Sequence, residues 1–337
     1  MRKADDENVG LSVGWSWNGI NAKIKSRYLS ALDRFGARRI DEAGLDSERK
    51  IAAHSALTEA QLAIISAATE ALTDKVRGDP ELARRALQVF SKAERQTENV
   101  GACLTLALED LRNRDEPISE ANPGPEQLDN AILDRWEHYA SGATTEQLRE
   151  RWGRVLASEI RVPGTFNLKC LRIIDELEPD VAVLFERFCE QRVRDWVPEC
   201  INTLKEYQID ALQDGNLVFH SEFGRTVGFE EVTSGDGTKI WFLQGGGPIA
   251  IGLRDNPSLP VGGVSAMLRN IGGGVNLPVY ALTAAGRALA SILPRQQHAG
   301  LKNLANAIQA ASEPDSVYLY EWAGDRWVRS KFDGADV

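Results

Sequence analysis

The stretch Thr144-Thr145-Glu146-Gln147-Leu148-Arg149-Glu150-Arg151-Trp152-Gly153-Arg154-Val155-Leu156-Ala157-Ser158-Glu159-Ile160, followed by Pro163-Gly164, decides the reading of this chain as helical. Thr144 and Gln147 stand at capping-box spacing, where two side chains satisfy the first free amides of a helix. Leu148, Trp152, Val155, Leu156 and Ile160 then share one face at three- and four-residue steps. Pro163-Gly164 stops that helix. Thr165 or Asn167 can cap the next, whose apolar row is Leu168, Leu171, Ile174 and Leu177. Glu178-Pro179-Asp180 restarts a third, with Val181, Leu184, Phe185 and Phe188 on its inner face. The spacing predicts a compact three-helix unit. On the polar sides of the first helix stand Glu146, Arg149, Glu150, Arg151, Arg154 and Glu159, with Glu150 and Arg154 in the favourable order for a pair one turn apart. Two readings of that side stay open: a solvated mixed-charge face, or a contact surface using Arg151 and Arg154.

Upstream, helical pattern covers about 128–139, and the charged segment 113–127 with Pro117, Pro123 and Pro125 reads as a linker. Residues 21–112 read as an N-terminal helical domain. Leu57, Gln61, Ile64, Ile65, Ala68 and Leu72 form one stripe in it. Pro80, behind Gly78-Asp79, is placed as the first residue of a further helix. Residues 1–20 are a polar arm that cannot build a core of its own. Its Trp15 and Trp17 are candidate partner-docking residues, because indoles left in water forfeit several kcal/mol of burial, on the order of 25 cal/mol per Å².

Downstream of about 202 the texture changes. Leu204–Leu212 reads as a helix ended by Gly215, and Leu217-Val218-Phe219 as a short strand, together like a winged-helix recognition helix entering its wing. Lys239–Leu243 and Pro248–Leu253 have strand composition around Gly245-Gly246-Gly247. Residues 255–278, rich in Gly, Pro and Asn, read as loop. Val279–Leu282 is a strand candidate, Thr283 caps a helix to Leu293, and Leu301–Ala311 is another helix. Val317–Trp322 and Arg326–Phe332 alternate about Ala323-Gly324-Asp325 as a hairpin. The expected fold is therefore mainly α: a helical domain over 21–112, a linker over 113–127, a central helical domain over 128–201, and a small α+β, winged-helix-like C-terminal module over 202–337.

Composition narrows the function classes. The 337 residues carry a net charge of −10, which weighs against general phosphate binding, so a nucleic-acid partner is not expected. The candidate recognition helix offers only Lys205 and Gln208 beside Glu206 and Asp210. No run of about 18–20 apolar residues or secretory h-region is present, so a cytoplasmic protein without a membrane span is expected. Cys103, Cys170, Cys189 and Cys200 include no CxxC pair and read as free thiols. His54, His138, His220 and His298 show no chelating spacing, so no metal is expected. The glycine clusters lack the Lys-Ser/Thr or GxGxxG contexts that cradle phosphates, and no cofactor is expected. No catalytic residue stands out.

Trp152-Gly153-Arg154-Val155-Leu156-Ala157-Ser158-Glu159-Ile160 with Pro163-Gly164-Thr165-Phe166-Asn167-Leu168 resembles the signature W-G-[KR]-x-L-A-x-E-I-x-x-P-G-x-[FY]-[SN]-L of an uncharacterised bacterial family of unknown function. Glu94–Val100 is similar to that family's R-Q-x-N-I element. Tyr280–Leu289 is similar to its L-T-x-x-G-x-E-L segment, with Ala288 where an acid is usual. A more distant likeness to the abortive-infection alpha family implies a role in bacteriophage defence. The family brings no catalytic residues. Trp152, Arg154, Glu159, Pro163 and Gly164 are the candidate structural or interaction residues. Glu159 is placed to cap the amides after Gly164. The reading that follows is a non-enzymatic interaction or regulatory protein, with a protein partner or self-association. A winged-helix DNA-binding regulator and an enzyme of unrecognised type are the alternatives.

Overall fold

The computed structural model describes residues 21–35, 70, 73, 79–113, 125, 127–219, 224–235, 237–263, 266–293 and 297–330. These fall into two compact units, the first ending at Gly164 and the second starting at Thr165.

Four helices build the described part of the first unit: α1 (Ala22–Arg34), α2 (Pro80–Asn113), α3 (Asn130–Ala140) and α4 (Glu146–Arg161). Pro80 opens α2, where its missing N–H costs nothing, and Asp79 caps it by accepting from Glu81 N and Leu82 N at 2.9 and 3.1 Å. The N-cap of α4 is Thr145, whose hydroxyl accepts from Leu148 N at 3.3 Å; the expected box at Thr144 is displaced by one residue. α4 packs mainly along the C-terminal half of α2, which buries Val100, Cys103, Leu104, Ala107, Leu108 and Leu111. The other half of α2 buries nothing, and its Leu87, Val89 and Phe90 are 66–67% exposed.

The second unit begins with α5 (Leu168–Glu176) and α6 (Pro179–Cys189), then β1 (Trp196–Pro198) and α7 (Glu206–Asp214). Asn167 caps α5, accepting from Cys170 N at 2.9 Å. The strands follow: β2 (Arg225–Gly228), β3 (Glu230–Thr233), β4 (Lys239–Gln244), β5 (Ile249–Arg254), β6 (Val261–Gly262), β7 (Leu268–Ile271) and β8 (Gly274–Ala281). Two helices, α8 (Ala284–Ser291) and α9 (Gln297–Ala310), precede the hairpin of β9 (Val317–Trp322) and β10 (Trp327–Ser330). α5 packs on α8, and α6 on α7. One sheet runs β1-β8-β7-β6 with β2 also on β8; the other runs β10-β9-β5-β4-β3. Only β6 and β7 are parallel among the described strands.

The inward residues of both sheets and α9 share one core: Trp241, Leu243, Ile251, Leu253 and Leu319 from the second sheet, Leu277 and Val279 from the first, and Leu301, Leu304 and Ile308 from α9. The alternate residues Ile240, Phe242 and Ala250 form a smaller cluster on the opposite face of the second sheet, with Val232, Tyr320 and Trp327 against it.

Ten described strands in two five-stranded sheets overturn the mainly-α expectation. The winged-helix module falls with it. Among the described residues after α7 no wing is shown: Val218 makes an isolated bridge to Leu282, and β2 pairs with β8. The expected loop over 255–278 contains β6, β7 and five of the eight residues of β8. Its glycines and Pro278 hid these strands, because local composition does not report pairing partners distant in sequence. Pro278 pairs with Thr226 on one edge of β8, while β7 takes 274–276 and β1 takes 279–281 on the other. That gap in the ladder is where a residue without an N–H is tolerated.

Candidate functional site

The corner between Trp152 and Gly164 is closely packed. Trp152 is 2% exposed; its carbonyl accepts from Trp136 Nε1 at 2.8 Å, and Tyr139 lies nearly parallel over its ring at 5.2 Å. Gly153 faces α2 so closely that a Cβ there would sit 2.8 Å from Leu106 Cβ and 3.0 Å from the Cys103 carbonyl oxygen. Glycine is what lets α4 lie against α2 at this crossing. Glu159, 3% exposed, accepts from Gly164 N at 2.7 Å, and Gly164 has φ +89°, a conformation that a Cβ disfavours. Pro163 is half-buried in the turn. Arg154 pairs with Glu150 of its own helix, and Arg151 is also engaged.

Arginines lock the helix ends around this corner. Arg27 is fully buried and donates to the carbonyls of Pro125 and Ile160, both at 2.9 Å, and of Arg161 at 3.4 Å. Its charge thus meets the last turn of α4, where the free carbonyls carry negative potential. Burial lowers the Arg27 pKa, and the Glu159 carboxylate partly restores it. Arg161 does the same for α2, pairing with the Asp110 carboxylate at 2.7 Å and with the Asp110 carbonyl. Asn99, in the upstream element, donates to the Ser141 carbonyl at 2.9 Å and accepts from Arg149 Nη2 at 2.7 Å. In the downstream element, the Thr283 hydroxyl accepts from Gly286 N at 3.0 Å and donates to the Asn216 carbonyl at 2.5 Å. All three elements join segments distant in sequence.

The two tryptophans proposed for docking, Trp15 and Trp17, lie outside the described residues. Burial pushes the Cys103 and Cys189 thiols up to about 12 and Cys200 to about 11, away from the thiolate form that reacts. Among the described residues no group of His, Cys, Asp or Glu is arranged to hold a metal, and no helix is long and apolar enough to cross a membrane.

A surface that sequence reasoning missed lies on the outer face of the second sheet. Ile240↔Arg254, Gly252↔Tyr318 and Tyr320↔Arg329 are cross-strand partners, so their side chains share that face. Ile240, Arg254, Tyr318, Tyr320 and Arg329, with Arg326 and Trp327, line a depression of about 530 Å³ that Ser234, Gly235 and Thr238 also border. Arg254, Arg326 and Arg329 are exposed there. None of the three forms an ion pair with a described carboxylate, and the described lining contains no acidic residue. The Arg329 guanidinium sits 3.6 Å above the Tyr318 ring. Glu321 pairs with Ile249 and Val328, which puts it on the other face. The alternation of 317–322 was the available signal, but which of its faces stays open depends on what α9 covers.

Residues 83–209, little more than a third of the chain, match the family described as Protein of unknown function (DUF2806). The match fits an uncharacterised family and spans the corner. No curated protein and no solved structure matches the chain.

Proposed function

We propose that this chain is a non-enzymatic interaction protein that holds an anionic partner on the outer face of its second sheet. The observation that supports this is the depression lined by Arg254, Arg326 and Arg329 without a described carboxylate, in a chain of net charge −10. Hydrogen bonds from a guanidinium to an anion contribute about 1.5–3 kcal/mol each, more than neutral ones. Three guanidinia without a described acidic partner line one concave site, and an anion held there offsets their like charge. The matched family segment is, on this reading, the scaffold, and the sheet carries the contact.

Retention on a sulfated-polysaccharide column tests the proposal. An acidic protein without a local basic site passes through, whereas this one is expected to be held at low salt. Arg326→Glu and Arg329→Glu are expected to elute earlier. Passage of the unaltered protein at low salt would overturn the reading. A role in bacteriophage defence, implied by the resemblance to abortive-infection proteins, is the biological setting we attach to it. Equal phage plating with and without the gene removes that setting and leaves the binding proposal standing.

A further inference from the structure

We infer that the anion is a nucleoside phosphate, its base against the aromatic side of the depression and its phosphate on the arginines; this rests on the anion-binding reading above. The lining has two halves. Arg254, Arg326 and Arg329 supply charge, and Tyr318, Tyr320 and Trp327 supply rings. An inorganic anion or an acidic peptide needs only the first half. Rings beside guanidinia on an open antiparallel sheet suit a ligand that is aromatic at one end and anionic at the other.

The rings are braced. Phe242 meets Tyr320 and Trp327 edge to face, each at 5.5 Å, and Trp327 meets Trp322 at 5.2 Å. Phe242 itself is 7% exposed, so Trp327 stands on a fixed support and loses little rotamer freedom when a ligand lands. Arg329, stacked on Tyr318, has its guanidinium plane held in the same way. At about 530 Å³ the depression falls in the range of roughly 300–1,000 Å³ that takes one small ligand or one unstacked residue of a strand. A base can reach these rings only when it is free of a double helix. Duplex DNA is therefore not the ligand.

Calorimetric titration of the full chain with adenosine 5′-monophosphate, ribose 5-phosphate and inorganic phosphate tests the inference. Anisotropy with a labelled oligonucleotide, single-stranded and then as a duplex, identifies the source. The nucleotide is expected to bind about tenfold or more tightly than ribose 5-phosphate, the difference a stacked base makes. Trp327→Leu is expected to erase that difference by bringing the nucleotide's affinity down to that of ribose 5-phosphate. Should Trp327→Leu fail to fold, the exposed Arg326→Glu tests the charged half by weakening all three phosphates. Tighter binding of the single strand than of the mononucleotide identifies a nucleic-acid strand; equal binding identifies the free nucleotide. Equal affinity for nucleotide and ribose 5-phosphate overturns the inference and leaves the anion site intact. Duplex binding as tight as the single strand also overturns it. Absence of binding to all three phosphates overturns the inference, and loss of column retention besides overturns both readings.

Discussion

In the first unit Arg27 and Arg161 are buried, and each holds the carbonyl end of a helix. In the second, Arg254, Arg326 and Arg329 stand exposed on one sheet face without a described acidic partner. The same residue type closes a structure in one place and leaves it open in the other. The difference is partner supply: helix packing brings helix termini together, and each terminus presents carbonyls that a guanidinium satisfies. An antiparallel sheet satisfies its own backbone, so arginines on its free face have no backbone group to serve.

The largest expected effect probes the closed side of this comparison. Trp152→Ala removes a nearly fully buried indole and its stack on Tyr139, and is expected to cost roughly 3–5 kcal/mol in denaturant unfolding. A loss below about 1 kcal/mol would mean that the corner is not the core of its unit. Next, Asp110→Ala leaves Arg161 buried without its carboxylate, with an expected loss of about 3 kcal/mol. If Asp110→Ala proves neutral, the contrast between closed and open arginines loses its energetic half.

On the open side, Arg326→Glu is expected to change stability by no more than about 0.5 kcal/mol while weakening anion binding. A large stability loss would place Arg326 among the structural arginines. The smallest effect concerns Glu199, whose pKa is raised by burial and only partly pulled back by Arg269 at 3.9 Å. Raising a carboxyl's pKa in the folded state favours the protonated form there. Its stabilising contribution is full below the ordinary carboxylate value and is lost as pH rises through the raised one. Glu199→Gln mimics the protonated group and is expected to raise Tm slightly at pH 7 and not at pH 4. A lower Tm at pH 7 would show that the ion pair outweighs desolvation.

Helices were legible where their signals are local. Pro80, Asn167 and Thr283 sit where the sequence places a helix start, because a cap acts within four residues. The sequence places Glu159 against the amides after Gly164, whereas the bond shown is from the Gly164 amide itself, five residues on. The hairpin about Gly324 was legible too, since alternation and a turn suffice. The arginine anchors were not. Arg27 reaches carbonyls more than 130 positions away, and nothing about its neighbours in sequence marks it as buried.

The sheets mark the same boundary from the other side. Sequence alone determined which segments have a periodic apolar face and where several of the helices start. Tertiary structure alone decided that 255–278 contains strands, that β5 lies between β4 and β9, and that Arg254, Tyr318 and Arg329 share one depression. Helix caps and turns are satisfied by groups a few residues away. A strand's hydrogen bonds and a face's neighbours come from wherever the chain returns, and that is settled only when the core closes.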